Sequence, residues 1–108
     1  MVNGIPQISA QELKQRLDAG EAVYILDVRE PAEYQAANLG GKLIPLNTLP
    51  QHLEELDRER EIVVHCHAGV RSQRAAEFLQ QAGFRKVKNL RGGILAWADR
   101  IDRSLPKY

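Results

Sequence analysis

An α/β fold, with helices on the faces of a parallel sheet, is predicted by three features of this 108-residue sequence. Short apolar runs rich in strand formers alternate with stretches whose apolar residues recur at helical spacing. The length fits one domain and leaves little room for a second, so residues 1–108 are read as a single domain. Hydrophobic residues at 44% and charged residues at 27% lie near globular averages, and no long repeat or internal linker interrupts the alternation.

The elements follow in order. Ser9-Ala10-Gln11-Glu12 has the form of a capping box. Ala10, Leu13 and Leu17 continue it at helical spacing, and Gly20 ends it. Ala22 to Leu26 reads as a buried strand running into Asp27-Val28-Arg29. Glu30-Pro31 starts a short helix, since Pro suits a first turn. Asn38 to Lys42, with Gly40-Gly41, is a loop, and Leu43-Ile44-Pro45 a very short strand. Leu49, Leu53 and Leu56 mark another helix, followed by a charged turn through Arg60. Ile62-Val63-Val64 is the strongest strand signal and leads directly into His65-Cys66-His67-Ala68-Gly69-Val70-Arg71-Ser72. Ala75, Phe78, Leu79 and Ala82 form a helical stripe that stops at Gly83. Val87 to Leu90 is a weaker strand, and Ile94, Trp97, Ala98 and Ile101 are the apolar face of a last helix.

Fifteen basic against fourteen acidic residues leave a formal charge of +1, which gives no electrostatic case for nucleic acid or an anionic membrane as partner. No apolar run approaches the roughly 18–20 residues of a membrane span. The start, Met-Val-Asn-Gly-Ile-Pro, carries neither basic nor apolar leader features, so no signal peptide is expected. One cysteine allows no intrachain disulfide, and a cytoplasmic location is the expectation.

Cys66 stands where the best strand ends and a helix is about to begin. In open parallel sheets, ligands bind beyond the carboxyl ends of the strands. Gly69 lets the following segment curl so that successive N–H groups point inward. The helix start near Ser72 adds partial positive charge, and Arg71 adds a full one on a planar fork. Such a cradle would hold the Cys66 thiolate below its free pKa of about 8.5 and would stabilise a negatively charged adduct on the sulfur. The competing reading is a buried cysteine acting as a small hydrophobe. Residue chemistry alone leaves both open. His65 and His67 flank the cysteine but alternate faces in a strand, and zinc spacings are missing, so no metal is expected. Arg85, Lys86, Lys88 and Arg91 form a basic cluster that reads first as a solvated face, and second as a dock for an acidic partner.

Four segments together carry a resemblance. They are Leu26-Asp27-Val28-Arg29-Glu30-Pro31-Ala32-Glu33-Tyr34, then Ile44-Pro45, then Ile62 to Ser72, and then Asn89-Leu90-Arg91-Gly92-Gly93-Ile94 followed by Ala96-Trp97. In this order, from about Ile8 to Ile101, the chain resembles single-domain rhodaneses, a family of sulfurtransferases. The resemblance implies a three-layer α/β/α fold around a central five-stranded parallel sheet. It implies that Cys66 is the nucleophile and becomes a persulfide on taking sulfur from a donor such as thiosulfate. It implies that His67, Ala68, Gly69, Val70, Arg71 and Ser72 cradle the donor, and that Asp27 and Arg29 support the loop from behind. The acceptor would be cyanide, a thiol or a sulfur-carrier protein. Displacement at sulfur by a polarisable thiolate calls for no cofactor.

One segment departs from the family. Where many members carry Gly-His-Ile, this chain has Ala37-Asn38-Leu39, and Asn38 cannot take a charge. The Asn version resembles rhodanese domains attached to adenylating enzymes. Two rivals remain. Rhodanese-fold phosphatases and arsenate reductases use a Cys-x5-Arg loop, whereas four residues separate Cys66 from Arg71 here. A non-enzymatic docking module is the other, against which the intact Cys66 and Arg71 argue.

Overall fold

Each strand of this chain is short, so the sheet depends on which strands pair. The computed structural model describes residues 4–106; residues 1–3, part of the stretch read above for a leader, and residues 107–108 lie outside them. Strands β1 (Gln7–Ile8), β2 (Tyr24–Asp27), β3 (Lys42–Leu43), β4 (Ile62–His65) and β5 (Val87–Leu90) form one sheet in the order β1-β5-β4-β2-β3. All four pairings are parallel. Helices α1 (Ala10–Asp18), α2 (Pro31–Ala36), α3 (Val70–Gln81) and α4 (Gly93–Arg100) connect or flank them.

The central strand explains the layering. All four residues of β4 are buried. Ile62 and Val64 pack with Leu79, Phe84 and Leu49 on one face, and Val63 packs with Leu13, Leu90 and Trp97 on the other. Alternation along one strand therefore feeds two apolar layers, each buried side chain contributing about 1.5–3 kcal/mol. The result is the three-layer α/β/α arrangement expected from the sequence, with α1 against α4 on one side and α3 on the other.

Local chemistry sets the helix starts. The Ser9 hydroxyl accepts from Glu12 N–H at 3.0 Å, and the Glu12 carboxylate accepts from Ser9 N–H at 2.8 Å, a box worth about 1 kcal/mol. At α2, Glu33 accepts from Glu30 N–H at 2.9 Å, and Pro31 opens the first turn.

Strands β2 and β3 are shifted by one or two residues from the stretches read as Ala22 to Leu26 and Leu43-Ile44-Pro45, and two larger differences have a physical cause. Strand β1 went unread, because two residues between Pro6 and the cap Ser9 offer no period to detect. It is held by backbone bonds from Asn89 N–H to Pro6 O and Arg91 N–H to Ile8 O, at 2.9 and 2.8 Å. The leucine stripe at 49, 53 and 56 does mark helical chain, but it is a 3₁₀ segment, Leu46–Glu55, with Pro50 inside it. Proline lacks the N–H and crowds the preceding turn, which disfavours the α form.

Register places the site. Val64 lies opposite Asn89 of β5, and His65 opposite Asp27 of β2. Polar residues from three adjacent strands thus meet where β4 delivers Cys66.

Candidate active site

Between β4 and α3 the chain has four residues, 66–69, in which to reverse. Gly69 makes this possible at φ +105°, a left-handed conformation that strains any residue with a side chain. The turn brings the first amides of α3 back over the cysteine. Gly69 N–H donates to Cys66 Sγ at 3.2 Å and Ser72 N–H at 3.3 Å, and the Ser72 hydroxyl lies 3.3 Å from the same sulfur. These are amides that a helix start leaves without intrahelical acceptors, and they carry its positive partial charge.

Cys66 combines features of both readings that residue chemistry left open: it faces inward amides, yet it is 1% exposed, because it leans into the apolar layer with Val64, Ala75 and Ala76. Burial pushes the thiol pKa up. The Ser72 hydroxyl and the N–H groups of Ser72, Gly69 and Ala68 pull it down and prevail, so the group lies below its ordinary value. Sulfur anions are stabilised here, although the sulfur is buried.

Arg71 differs from its expected placement. Its fork is occupied by Glu33 of α2, with Nη1 and Nη2 donating to the two carboxylate oxygens at 2.7 and 2.8 Å. The Arg71 guanidinium holds Glu33 at a pKa of about 2. Arg71 is itself shifted above its ordinary value, by Glu33 first and also by the field of Cys66. Its positive charge is therefore near the loop but shared. Among the loop residues, Ala68 and Val70 are exposed and His67 is half-buried. Val70, at 67%, is the one large hydrophobic residue exposed among the described residues. A depression of about 420 Å³ opens beside Ala68, lined by Gly92, Leu95, Ala96, Asp99 and Arg100.

Ser72 and Asn89 are both buried. The Ser72 hydroxyl donates to Asn89 Oδ1 at 2.5 Å, and Asn89 Nδ2 donates to Gly69 O at 3.3 Å, tying the loop to β5. Asn89 and Glu33 are the two site residues that sequence reasoning passed over. Asn89 did carry a signal, as a polar residue inside a strand run. Glu33 carried none, since its partner is 38 residues away.

Asp27 and Arg29 are fully buried and joined by a fork, Nε to Oδ1 at 2.9 Å and Nη2 to Oδ2 at 2.7 Å. Arg29 also donates to Ala37 O at 2.6 Å and Glu33 O at 3.3 Å. The pair thus fixes the end of α2 and, through it, the carboxylate that grips Arg71. Asn38 caps the same helix: it donates to Tyr34 O at 3.0 Å and accepts from Gly40 N–H at 2.8 Å. His65 is fully buried, and neither ring nitrogen has a hydrogen bond; Asp27 Oδ2 lies 3.7 Å away. Among the described residues, no three His, Cys, Asp or Glu side chains form a metal-sized cluster, and no helix is long and apolar enough to cross a membrane.

The carbonyls behind the loop are occupied by α4. Ile94 N–H donates to Cys66 O at 2.9 Å and Leu95 N–H to His67 O at 3.0 Å. Gly93 makes that approach possible: at φ +61°, a Cβ there would lie 2.5 Å from both carbonyl oxygens. In the basic cluster, Lys88 is paired with Glu61 at 2.6 Å and Arg85 with Glu59 at 3.7 Å, so part of its charge is spent within the chain.

Comparison with known proteins follows the same outline. The Rhodanese-like domain family matches residues 9–100. A protein of Allochromatium vinosum named as a sulfurtransferase is 39% identical over 99 residues, covering 91% of this chain and 90% of that protein. The candidate sulfur carrier protein YrkF of Bacillus subtilis is 39% identical over 101 residues, 93% of this chain, and the chain spans 55% of its length. The crystal structure of a rhodanese-like domain protein from Staphylococcus aureus superimposes with a TM-score of 0.81 at 33% identity, over 90% of this chain and 95% of that one.

Proposed function

The chain belongs to the rhodanese-like sulfurtransferase family, and from that membership we propose that it carries sulfane sulfur on Cys66 as a persulfide. The thiolate attacks the outer sulfur of thiosulfate or of a persulfide donor. The donor's S–S bond breaks, and sulfite or a thiolate leaves with the electron pair. An acceptor nucleophile (cyanide, a thiol or a sulfur-carrier protein) then attacks the terminal sulfur and regenerates the Cys66 thiolate, giving two half-reactions.

The observation that carries this reading is the set of polar groups aimed inward at one sulfur: the donors Gly69 N–H and Ser72 N–H, with the Ser72 hydroxyl beside them, all at 3.2 to 3.3 Å. Donors aimed at a fixed anion act strongly where water is excluded. In this reading the segment from His67 to Ser72 holds the donor and the persulfide, and Asp27 and Arg29 keep α2 and the loop in place. The reaction needs no metal or cofactor. The chain acts as one domain, in the cytoplasm.

Intact mass spectrometry after incubation with thiosulfate tests the proposal. Wild type should gain one sulfur atom, and Cys66→Ser none. No adduct from thiosulfate or from any persulfide donor would sink the reading. Turnover of a phenyl phosphate in place of sulfur transfer would favour the phosphatase alternative. Unchanged cellular function in Cys66→Ala would favour a docking module.

A further inference from the structure

The Ser72 hydroxyl has two neighbours and one proton. It lies 3.3 Å from Cys66 Sγ and 2.5 Å from Asn89 Oδ1. A hydroxyl donates once, so it cannot serve both as a donor. Which neighbour receives the proton depends on whether Asn89 truly presents its oxygen.

The surroundings of Asn89 fix that orientation. Its Nδ2 faces three acceptors: Gly69 O at 3.3 Å, Gln7 Oε1 at 3.1 Å and Gln73 Oε1 at 3.3 Å. The two glutamines are themselves oriented. Gln73 Nε2 donates to the Glu77 carboxylate at 3.2 Å, and Gln7 Nε2 donates to Ile5 O at 3.1 Å and to Gln73 Oε1 at 2.9 Å. A flipped Asn89 would set its oxygen against all three acceptors. Oδ1 therefore faces Ser72 and can only accept.

With Cys66 as a thiol, every group is satisfied: S–H donates to Ser72 Oγ, and Ser72 O–H donates to Asn89. When the thiol proton leaves, the hydroxyl oxygen faces a sulfur anion with a lone pair. Its proton must turn to the sulfur, and a buried amide oxygen then loses its donor. We propose that Asn89 is a positioning residue that competes with the Cys66 thiolate for the Ser72 proton, so that ionisation of the cysteine is coupled to a swap of this hydroxyl between two acceptors. Its bearing on catalysis rests on the sulfurtransferase reading; the swap itself does not. The persulfide relieves the competition, because its charge moves to the outer sulfur and away from the Ser72 hydroxyl.

Charged and titratable groups also flank the loop: Arg71 of α3, which feels the field of Cys66 and is paired with Glu33 of α2, the buried Asp27–Arg29 pair beside the end of β2, and His65 and His67 on either side of Cys66. All are present in every variant below and drop out of the comparison.

The single cysteine gives one 13Cβ resonance whose titration reports its ionisation without needing solvent access. Asn89→Ala should move the Cys66 midpoint down by about one pH unit. In a Ser72→Ala background the same substitution should move it by less than about a third as much, since Asn89 then has no hydroxyl to hold. Asn89→Leu, closer in volume, serves if the alanine variant folds poorly. In the unmodified protein, the Asn89 side-chain carbonyl resonance should titrate with the Cys66 midpoint. An upward or absent shift, an equal shift in both backgrounds, or a flat Asn89 carbonyl overturns the proposal. These readouts do not involve sulfur transfer. A chain that shows the coupled shifts yet takes no sulfur from any donor would refute the function proposed above and leave the swap standing.

Discussion

His65 and Cys66 are consecutive, and both are buried, but their surroundings are opposite. Cys66 ends the alternation on the α3 side of the sheet, under two N–H donors and a hydroxyl within 3.3 Å. His65 is fully buried without a hydrogen bond to either ring nitrogen. Burial disfavours the charged form of each, which means a higher pKa for a thiol and a lower one for an imidazole. For Cys66 the hydrogen bonds reverse the effect of burial. For His65 burial prevails over the pull of Asp27, and the ring stays neutral. Depth in the protein therefore does not decide charge here; the presence of aimed donors does.

Cys66→Ser is the most severe break on the donor-rich side. It should lower sulfur transfer about a thousandfold or more while leaving thermal unfolding nearly unchanged, as steady-state assay beside calorimetry would show. On the opposite side, Asp27→Ala removes the buried carboxylate that the Arg29 fork grips. Unfolding in urea should show a loss of about 3–5 kcal/mol, and a loss under 1 would mean that the pair is a spectator.

His65→Leu should do the reverse, raising stability at neutral pH by about 1–3 kcal/mol by removing unsatisfied buried nitrogens. It should also change the pH dependence. The folded-state pKa of His65 is depressed below its unfolded value of 6.5. Its contribution is thus full above pH 6.5 and is lost as pH falls through the window below it, where the unfolded chain binds the extra proton. Glu33 and Glu61, at about 2, contribute in a separate window, between about 4.5 and 2. Urea midpoints measured from pH 7 down to 5 should fall in wild type and stay flat in His65→Leu.

The smallest effect concerns Arg71. Because Glu33 already occupies its fork, Arg71→Ala should reduce kcat/KM for thiosulfate by about five- to tenfold, and for an uncharged persulfide donor by less. Equal losses with the two donors would remove Arg71 from anion binding.

The asymmetry between the two faces was only half legible in the sequence. Cys66, Gly69 and Ser72 stand close together in the chain, and a strand-to-helix junction places them by local rules alone. The Asp27–Arg29 pair could be named for the same reason, being two residues apart at the end of a strand. What could not be read depends on register between distant segments. Glu33 meets Arg71 only because Arg29 fixes α2 beside the loop, and Asn89 meets Ser72 only because β5 pairs with β4. Strand β1 escaped because two residues carry no period. The burial of Cys66 stayed open because exposure depends on how α3 closes over it.

A peptide plane is rigid, with its carbonyl and its N–H pointing in opposite directions. Leu95 N–H holds the carbonyl of His67, and the other end of that plane is the Ala68 N–H that acts on the sulfur. The last helix therefore works as a remote clamp on the reactive atom, through a lever one amide long. A survey of inactivating substitutions restricted to residues touching Cys66 Sγ would overlook Gly93, although any side chain there must lift that clamp.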